Sequence, residues 1–271
     1  MKQRTIGRAF ELEGVGIHAS QAVHLAFSPA PAKSGVVFIK EGAAVPALLE
    51  NVKDTRRGTS LHGIAVTEHL LAALFALGID NIYVEVRGEE LPALDGSALP
   101  YVEALAQAGI TEQAAEKEYI ALQQPIHLTT QEASLTALPH DGFKVDFMVN
   151  FPGVGEQRFS FDLEKGDFKK EVAPARTFGY IEEYELLKER GLGQGASFEN
   201  ALVLGKDGYV NPPRFEDEPV RHKALDLIGD LALLGKMLRA EVRASRSGHE
   251  LNIELCRRIR AAQKGGSRRN G

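Results

Sequence analysis

Short runs in which apolar and polar residues alternate open the chain. Residues 10–17 and 22–27 read as a pair of strands around a glycine-containing segment, and 35–39 (GVVFI) reads as a short buried strand. The run at 70–77 is too continuous, and too rich in alanine and leucine, for a strand. It predicts a helix over 66–77, ended by Gly78 as a C-terminal cap. Residues 81–86 (NIYVEV) alternate and are β-branched, which predicts a strand. Asp95-Gly96-Ser97 supplies turn and N-cap chemistry for a helix over 98–108 with Pro100 in its first turn.

The second half repeats this order. Residues 126–138 and 144–151 read as strands, and 181–189 as a helix. Over 220–234 the apolar positions Ala224, Leu227, Ile228, Leu231 and Leu234 form one helical stripe. A strand over 237–242 and a helix over 247–260, with Ser247 as candidate cap, complete the pattern. In each half a helix opens on a histidine (Glu68-His69, then Arg221-His222). A glycine, a strand (NIYVEVRG, then MLRAEVRA) and a closing helix follow. The leading helix of the second half is about one turn longer. This suggests an internal duplication of a β-rich unit with two helices. The polar stretch at 111–117 (TEQAAEK) marks the boundary, giving domains at 1–113 and 114–271. A cleft between two such halves is a natural place for a site.

Composition narrows the classes. The chain has 271 residues and a formal net charge of −5, with 44% hydrophobic and 25% charged residues, which is ordinary for a globular protein and not for a disordered one. The slightly acidic balance argues against a general nucleic-acid binder. The single Cys256 excludes an intrachain disulfide and a cysteine-rich zinc cluster. No apolar run approaches the ~20 residues of a membrane span, and Glu11 and Glu13 stand where a signal peptide would be apolar. The expectation is therefore a cytoplasmic protein without stable membrane insertion. Its basic tail, residues 257–271, is expected to be a frayed, solvated end, with peripheral contact to anionic lipid heads as the alternative.

Three short segments could carry chemistry. His222 and Asp226 lie four apart on a predicted helix, so they stand one above the other and can grip one metal ion, and Asp230 continues the stripe. A solvated polar face is the competing reading. Glu68-His69 opens the first long helix, as ligand and base do side by side in zinc peptidases, although dipole complementation by Glu68 explains the pair as well. His249, just inside a helix N-terminus, should have its charged form disfavoured unless a carboxylate such as Asp230 or Glu250 stands near. Gly191, Gly193 and Gly195 follow a helical stretch and so fail as a dinucleotide fingerprint. Neither a phosphate-binding loop nor a G-x-S-x-G elbow occurs.

Together these pieces resemble one family. EGVGIH at 13–18, TEHLLAALFALGIDN, LPALDGSALP, ARTFGY, GLGQGASFENA, RHKALDLIGDL and SGHELN occur in order along nearly the whole chain. They are similar to the UDP-3-O-acyl-N-acetylglucosamine deacetylases, zinc amidases that commit bacteria to lipid A. The resemblance implies an α+β fold of two similar domains, each a sheet layered on two helices, with the active site in the cleft between them. It implies Zn2+ held by His69, His222 and Asp226, with Glu68 as general base, and His249 as general acid oriented by Asp230. Thr177 would steady the oxyanion. Lys223 and His18 would lie near the nucleotide diphosphate, and Phe178 and Tyr180 would wall the sugar and nucleotide. The implied partner is a small molecule, the acylated UDP-amino sugar, and residues 179–200 would form the acyl-chain passage.

Three stretches depart from the family's usual text. Val66-Thr67 is swapped in order, 54–61 is more basic, and 150–155 is shorter. They bear on acyl-chain preference, not on the ligands. Two rival readings remain: a non-catalytic binder of nucleotide-sugars or acyl lipids, and a metal hydrolase of another amide or ester.

Overall fold

In the computed structural model, which describes residues 1–267, strand β1 (Lys2–Ile6) is followed by β2 (Phe10–Val15), β3 (Ala22–Pro29), β4 (Val36–Lys40) and β5 (Ala43–Pro46). A small ribbon, β6 (Val52–Asp54) and β7 (Ser60–Leu61), leads into α1 (Glu68–Leu77), β8 (Ile82–Arg87), α2 (Leu99–Gln107) and β9 (Ile110–Glu116). The second half runs through β10 (Tyr119–Ala121), β11 (Ile126–Thr129), β12 (Ser134–Pro139), β13 (Phe143–Phe151) and β14 (Gly155–Asp162). An excursion follows, built from α3 (Phe168–Glu171), β15 (Phe178–Tyr180), α4 (Tyr184–Glu189), β16 (Leu202–Gly205) and β17 (Gly208–Tyr209). The chain closes with α5 (Glu218–Ala232), β18 (Met237–Ser245) and α6 (His249–Ser267).

The halves are wired alike. The first sheet has the order β2-β3-β8-β4-β5, with β4 and β8 its one parallel pair. The second has the order β11-β12-β18-β13-β14, with β13 and β18 parallel in the same place and β10 added beside β18. In each half one helix precedes the parallel-paired late strand and one follows it. The fold is thus two similar α+β domains, as the repeated order of elements predicts.

Alternation decides which sheet faces are buried. In β8, Ile82, Val84 and Val86 point inward, and in β13, Phe143, Val145, Phe147 and Val149 do the same. Helix α1 is apolar on every side, with Leu70, Leu71, Ala72, Ala73 and Leu74 all shut off from solvent. It therefore packs inside, against α5. A glycine makes that approach close: a Cβ on Gly229 would lie 2.1 Å from the backbone oxygen of Glu68.

Several elements differ from the sequence pattern, each for a physical reason. Helix α1 starts at Glu68 because Val66 sits at φ +58, a left-handed conformation outside any helix. Its exit is as expected, with Gly78 at φ +65 donating its N–H to the carbonyls of Leu74 and Phe75. The polar stretch 111–117, expected to mark the boundary, lies largely in β9, paired with β1. The division expected after residue 113 therefore falls within a strand. The expected single helix over 181–189 is a 3-10 turn followed by α4. Helix α6 continues to Ser267, so residues 257–264, expected as a frayed end, are helical. Arg260 pairs there with Glu50, and Arg258 with Glu254 at 2.8 Å. Residues 268–271 of the expected tail lie outside the described residues. Ser247 turns its hydroxyl to the side chain of Asn252 at 3.0 Å. Among the described residues no helix is long and apolar enough to cross a membrane.

Candidate active site

The close crossing at Gly229 sets the first turn of α1 beside the middle of α5. The rings of His69 and His222 meet edge to face, with centroids 5.0 Å apart. One turn along α5, Asp226 Oδ1 lies 3.3 Å from His222 Nε2 and 3.8 Å from His69 Nε2. All three residues are buried. Ligand atoms about 2.0–2.2 Å from a tetrahedral ion stand ~3.3 Å from one another, so this spacing suits a single cation.

The chemistry of the three donors agrees with that spacing. Asp226 Oδ1 is buried and accepts no hydrogen bond, an orphaned lone pair facing the two imidazoles. Burial opposes ionisation of Asp226, but His222, Lys223 and His249 around it hold its carboxyl far below the usual carboxylate range. Burial, reinforced by His222, pushes His69 down to about 3, so its ring is neutral. Burial likewise lowers His222. The Nδ1–H of His222 donates to the Ala175 carbonyl at 3.1 Å, which leaves Nε2 as the free lone pair. Two neutral imidazoles and one carboxylate form a three-residue donor set with a position to spare.

Two further groups flank this cluster. Glu68, buried at the start of α1, has its carboxyl pushed up to about 7 by burial, with the negative charge of Asp226 adding to the effect. The backbone N–H of Thr59 donates to its Oε2 at 2.9 Å. His249 opens α6 close by, with ligand atoms of Glu68, Asp226 and His249 all within 4.8 Å of one another. Burial disfavours its charge, yet Asp230 and Asp226 outweigh burial and raise it to about 9. Its Nδ1–H donates to Asp230 Oδ2 at 2.8 Å, and Nε2 lies 3.7 Å from Asp226 Oδ2. Asp230 is wholly buried and also accepts from Asn252 Nδ2 at 2.9 Å and Thr59 Oγ1 at 2.5 Å.

All of this opens into one cleft of about 740 Å³. Every site residue that the family resemblance implies lines it except Asp230, which stands behind His249. Lys223 donates to Asp226 Oδ2 at 2.7 Å. Burial alone would lower it, but Asp226 raises it, so it stays charged. His18 is held by its backbone N–H against the buried carboxylate of Glu90, at 3.1 Å, and its Nδ1 has no partner. Thr177 has its N–H on the Gly96 carbonyl and its carbonyl on the Leu202 N–H. The preceding residue, Arg176, is buried and forks onto Glu218, with Nε 2.9 Å from Oε1. That pair anchors the chain just before β15, where Thr177 sits. Phe178 faces His222 with centroids 5.9 Å apart, and the Tyr180 hydroxyl is buried and unpaired. Ile181, Tyr184, Leu187 and Phe198 extend the apolar wall beyond them.

Residues 3–261 match the family model described as UDP-3-O-acyl N-acetylglycosamine deacetylase. This chain belongs to that family. Among relatives named UDP-3-O-acyl-N-acetylglucosamine deacetylase, the one from Thermosynechococcus vestitus is 44% identical over 95% of this chain and 93% of its own. That from Trichormus variabilis is 41% identical over 96% and 99%, and that from Legionella pneumophila is 42% identical over 97% and 91%.

In this member of the deacetylase family, the sequence reading missed three residues that shape the site. Asn252 lies one turn beyond His249 on α6, so helical spacing alone would have paired it with the same target. Thr59 and Glu90 carry no local signal. Thr59 lies in an irregular stretch between β6 and β7, and Glu90 beyond β8, where no periodicity says what each side chain faces.

Proposed function

We propose that this chain hydrolyses the acetamide of UDP-3-O-acyl-N-acetylglucosamine, releasing acetate and the free 2-amino sugar nucleotide. This is the committed step of lipid A biosynthesis, carried out in the cytoplasm with Zn2+ held by His69, His222 and Asp226. The halves, residues 1–113 and 114–271, would each contribute one side of the cleft. The observation that carries the reading is a carboxyl raised to about 7 and an imidazole raised to about 9 that converge, within 4.8 Å of each other, beside an orphaned three-residue donor set. A binding module has no use for that trio. Family membership supplies the substrate.

When bound, zinc supplies a Lewis acid that polarises the amide carbonyl and makes water acidic enough to act near neutrality. The Glu68 carboxylate takes one proton from the attacking water as its oxygen bonds to the acetyl carbon. The hydroxyl of Thr177, which lines the same cleft, donates to the developing oxyanion. As the C–N bond breaks, His249 passes its Nε2 proton to the nitrogen, without which an amine leaves poorly. Asp230 keeps the His249 ring oriented through Nδ1. Lys223 and His18 offer a charge and a ring nitrogen to the diphosphate, Phe178 and Tyr180 flank the sugar and nucleotide, and the apolar wall from Ile181 to Phe198 receives the acyl chain.

The test is acetate release from the acylated UDP-sugar before and after chelation, with zinc restored. The expected result is loss and recovery of turnover, and loss by ~100-fold or more in Glu68→Gln with metal still bound. Full turnover in a metal-stripped sample, or in Glu68→Gln, overturns the reading.

A further inference from the structure

Thr59 touches both members of the acid–base pair, although it belongs to neither of the helices that carry them. It is fully buried. Its N–H donates to Glu68 Oε2 at 2.9 Å, and its hydroxyl donates to Asp230 Oδ1 at 2.5 Å and lies 3.3 Å from His249 Nδ1. Its carbonyl accepts twice, from the Thr67 N–H at 3.1 Å and the Thr67 hydroxyl at 2.9 Å. Those two bonds anchor the peptide that follows the residue, and its N–H and hydroxyl anchor the other side. The neighbouring Gly58, at φ +143, leaves room for the approach: a Cβ there would lie 2.9 Å from Glu68 Oε1.

We infer that Thr59 is a positioning residue that locks the carboxylate of Glu68, from the first half, and the Asp230–His249 pair, from the second, into one fixed arrangement. The inference rests on the proposed roles of Glu68 and His249. The chemistry of Asp230 explains why a hydroxyl is needed. Oδ2 already serves His249 and Asn252. A donor on Oδ1 stops the carboxylate from rotating about its bond and holds Oδ2 toward the imidazole. The same residue's N–H holds one oxygen of Glu68, so the spacing of base and acid, which lie within 4.8 Å of each other, is set by one residue through its N–H and its hydroxyl. Any slack there separates the two proton-transfer groups without touching the donor set that would bind metal or the walls that hold substrate.

Thr59→Val keeps the shape and removes the hydroxyl, Thr59→Ala removes it without adding an atom, and Thr59→Ser retains it. Metal content, KM and kcat for acetate release are measured for all three, with Glu68→Gln in parallel. The expected result is a kcat lower by ~10- to 100-fold in the Val and Ala variants, with KM and metal content within twofold of wild type. The Ser variant should recover to within about threefold of wild type. A kcat within twofold of wild type in Val or Ala, a loss accompanied by metal loss, or a Ser variant no better than Ala overturns the inference. If Glu68→Gln is dead while Thr59→Ala is fully active, Thr59 alone is rejected. If Glu68→Gln turns over normally, the parent assignment falls and takes this one with it.

Discussion

A single methyl group at position 229 should open the site. In Gly229→Ala the new carbon would stand 2.1 Å from the backbone oxygen of Glu68, 2.7 Å from its carbonyl carbon and 2.9 Å from its Cα. Ordinary contact begins at 3.4 Å, so 3.4 − 2.1 = 1.3 Å must be found by moving backbone against backbone. Two effects oppose each other. Alanine favours the helix over glycine by ~0.8–1.0 kcal/mol. Overpacking between two buried helices costs ~1–3 kcal/mol, and here the clash is with main chain, which has no rotamer to escape into. Overpacking should win, leaving the variant about 1–2 kcal/mol less stable. Helix α1 would move away from α5, taking His69 from His222 and Asp226 by far more than the ~0.2 Å a metal site tolerates. Affinity should fall at least ~10-fold. Urea unfolding of the chelator-treated protein and competition with a chromophoric chelator measure the two quantities. A variant that is more stable by about 1 kcal/mol, with wild-type metal affinity, would refute the reasoning and show that propensity governs this crossing.

Two further outcomes follow from the same geometry. His222→Ala should lose metal affinity by more than ~100-fold, read by elemental analysis after dialysis, and a metal content equal to wild type removes His222 from the donor set. In the metal-free chain His249 is raised to about 9 by Asp230 and Asp226 against the opposing effect of burial. A raised folded value stabilises fully below the unfolded value of about 6.5 and loses that contribution as pH climbs through 9. The stability gap between wild type and Asp230→Asn should therefore shrink by up to about 3 kcal/mol from pH ~6 to pH ~10 in chelator-treated urea melts, and a constant gap would sink the pairing.

Much of this arrangement was legible in the sequence wherever periodicity speaks. The stripe of α5 put His222, Asp226 and Asp230 on one line. The leucine-rich text of α1 announced a helix buried all round, and the twofold order of elements announced the paired sheets. What stayed hidden had no pattern to betray it. Strand β14 brings only Phe159 and Phe161 fully inward and is otherwise polar or half-exposed, so no alternating run stood out. The ribbon of β1 and β9 hides behind polar text: β1 buries Gln3 and Thr5 beside Ile6, and β9 is largely exposed. Thr59 and Glu90 act through backbone N–H groups and single hydrogen bonds delivered by irregular chain, and such contacts depend on where loops end up in space. Helix α6 runs past its expected end because its basic run is not free in solvent: Arg260 and Arg258 find acidic partners.

The repeated strand order has a cost while the chain is still finding its shape. With the parallel pair β4–β8 and its counterpart β13–β18 built to the same plan, a strand from one half meets, in the nascent polypeptide, a template that fits its rightful neighbour's place. Dissimilar side chains are what steer each strand to its own sheet. Drift of the two halves apart in sequence thus guards against mispairing, and bringing them closer to identity would lower refolding yield even if every native contact were preserved.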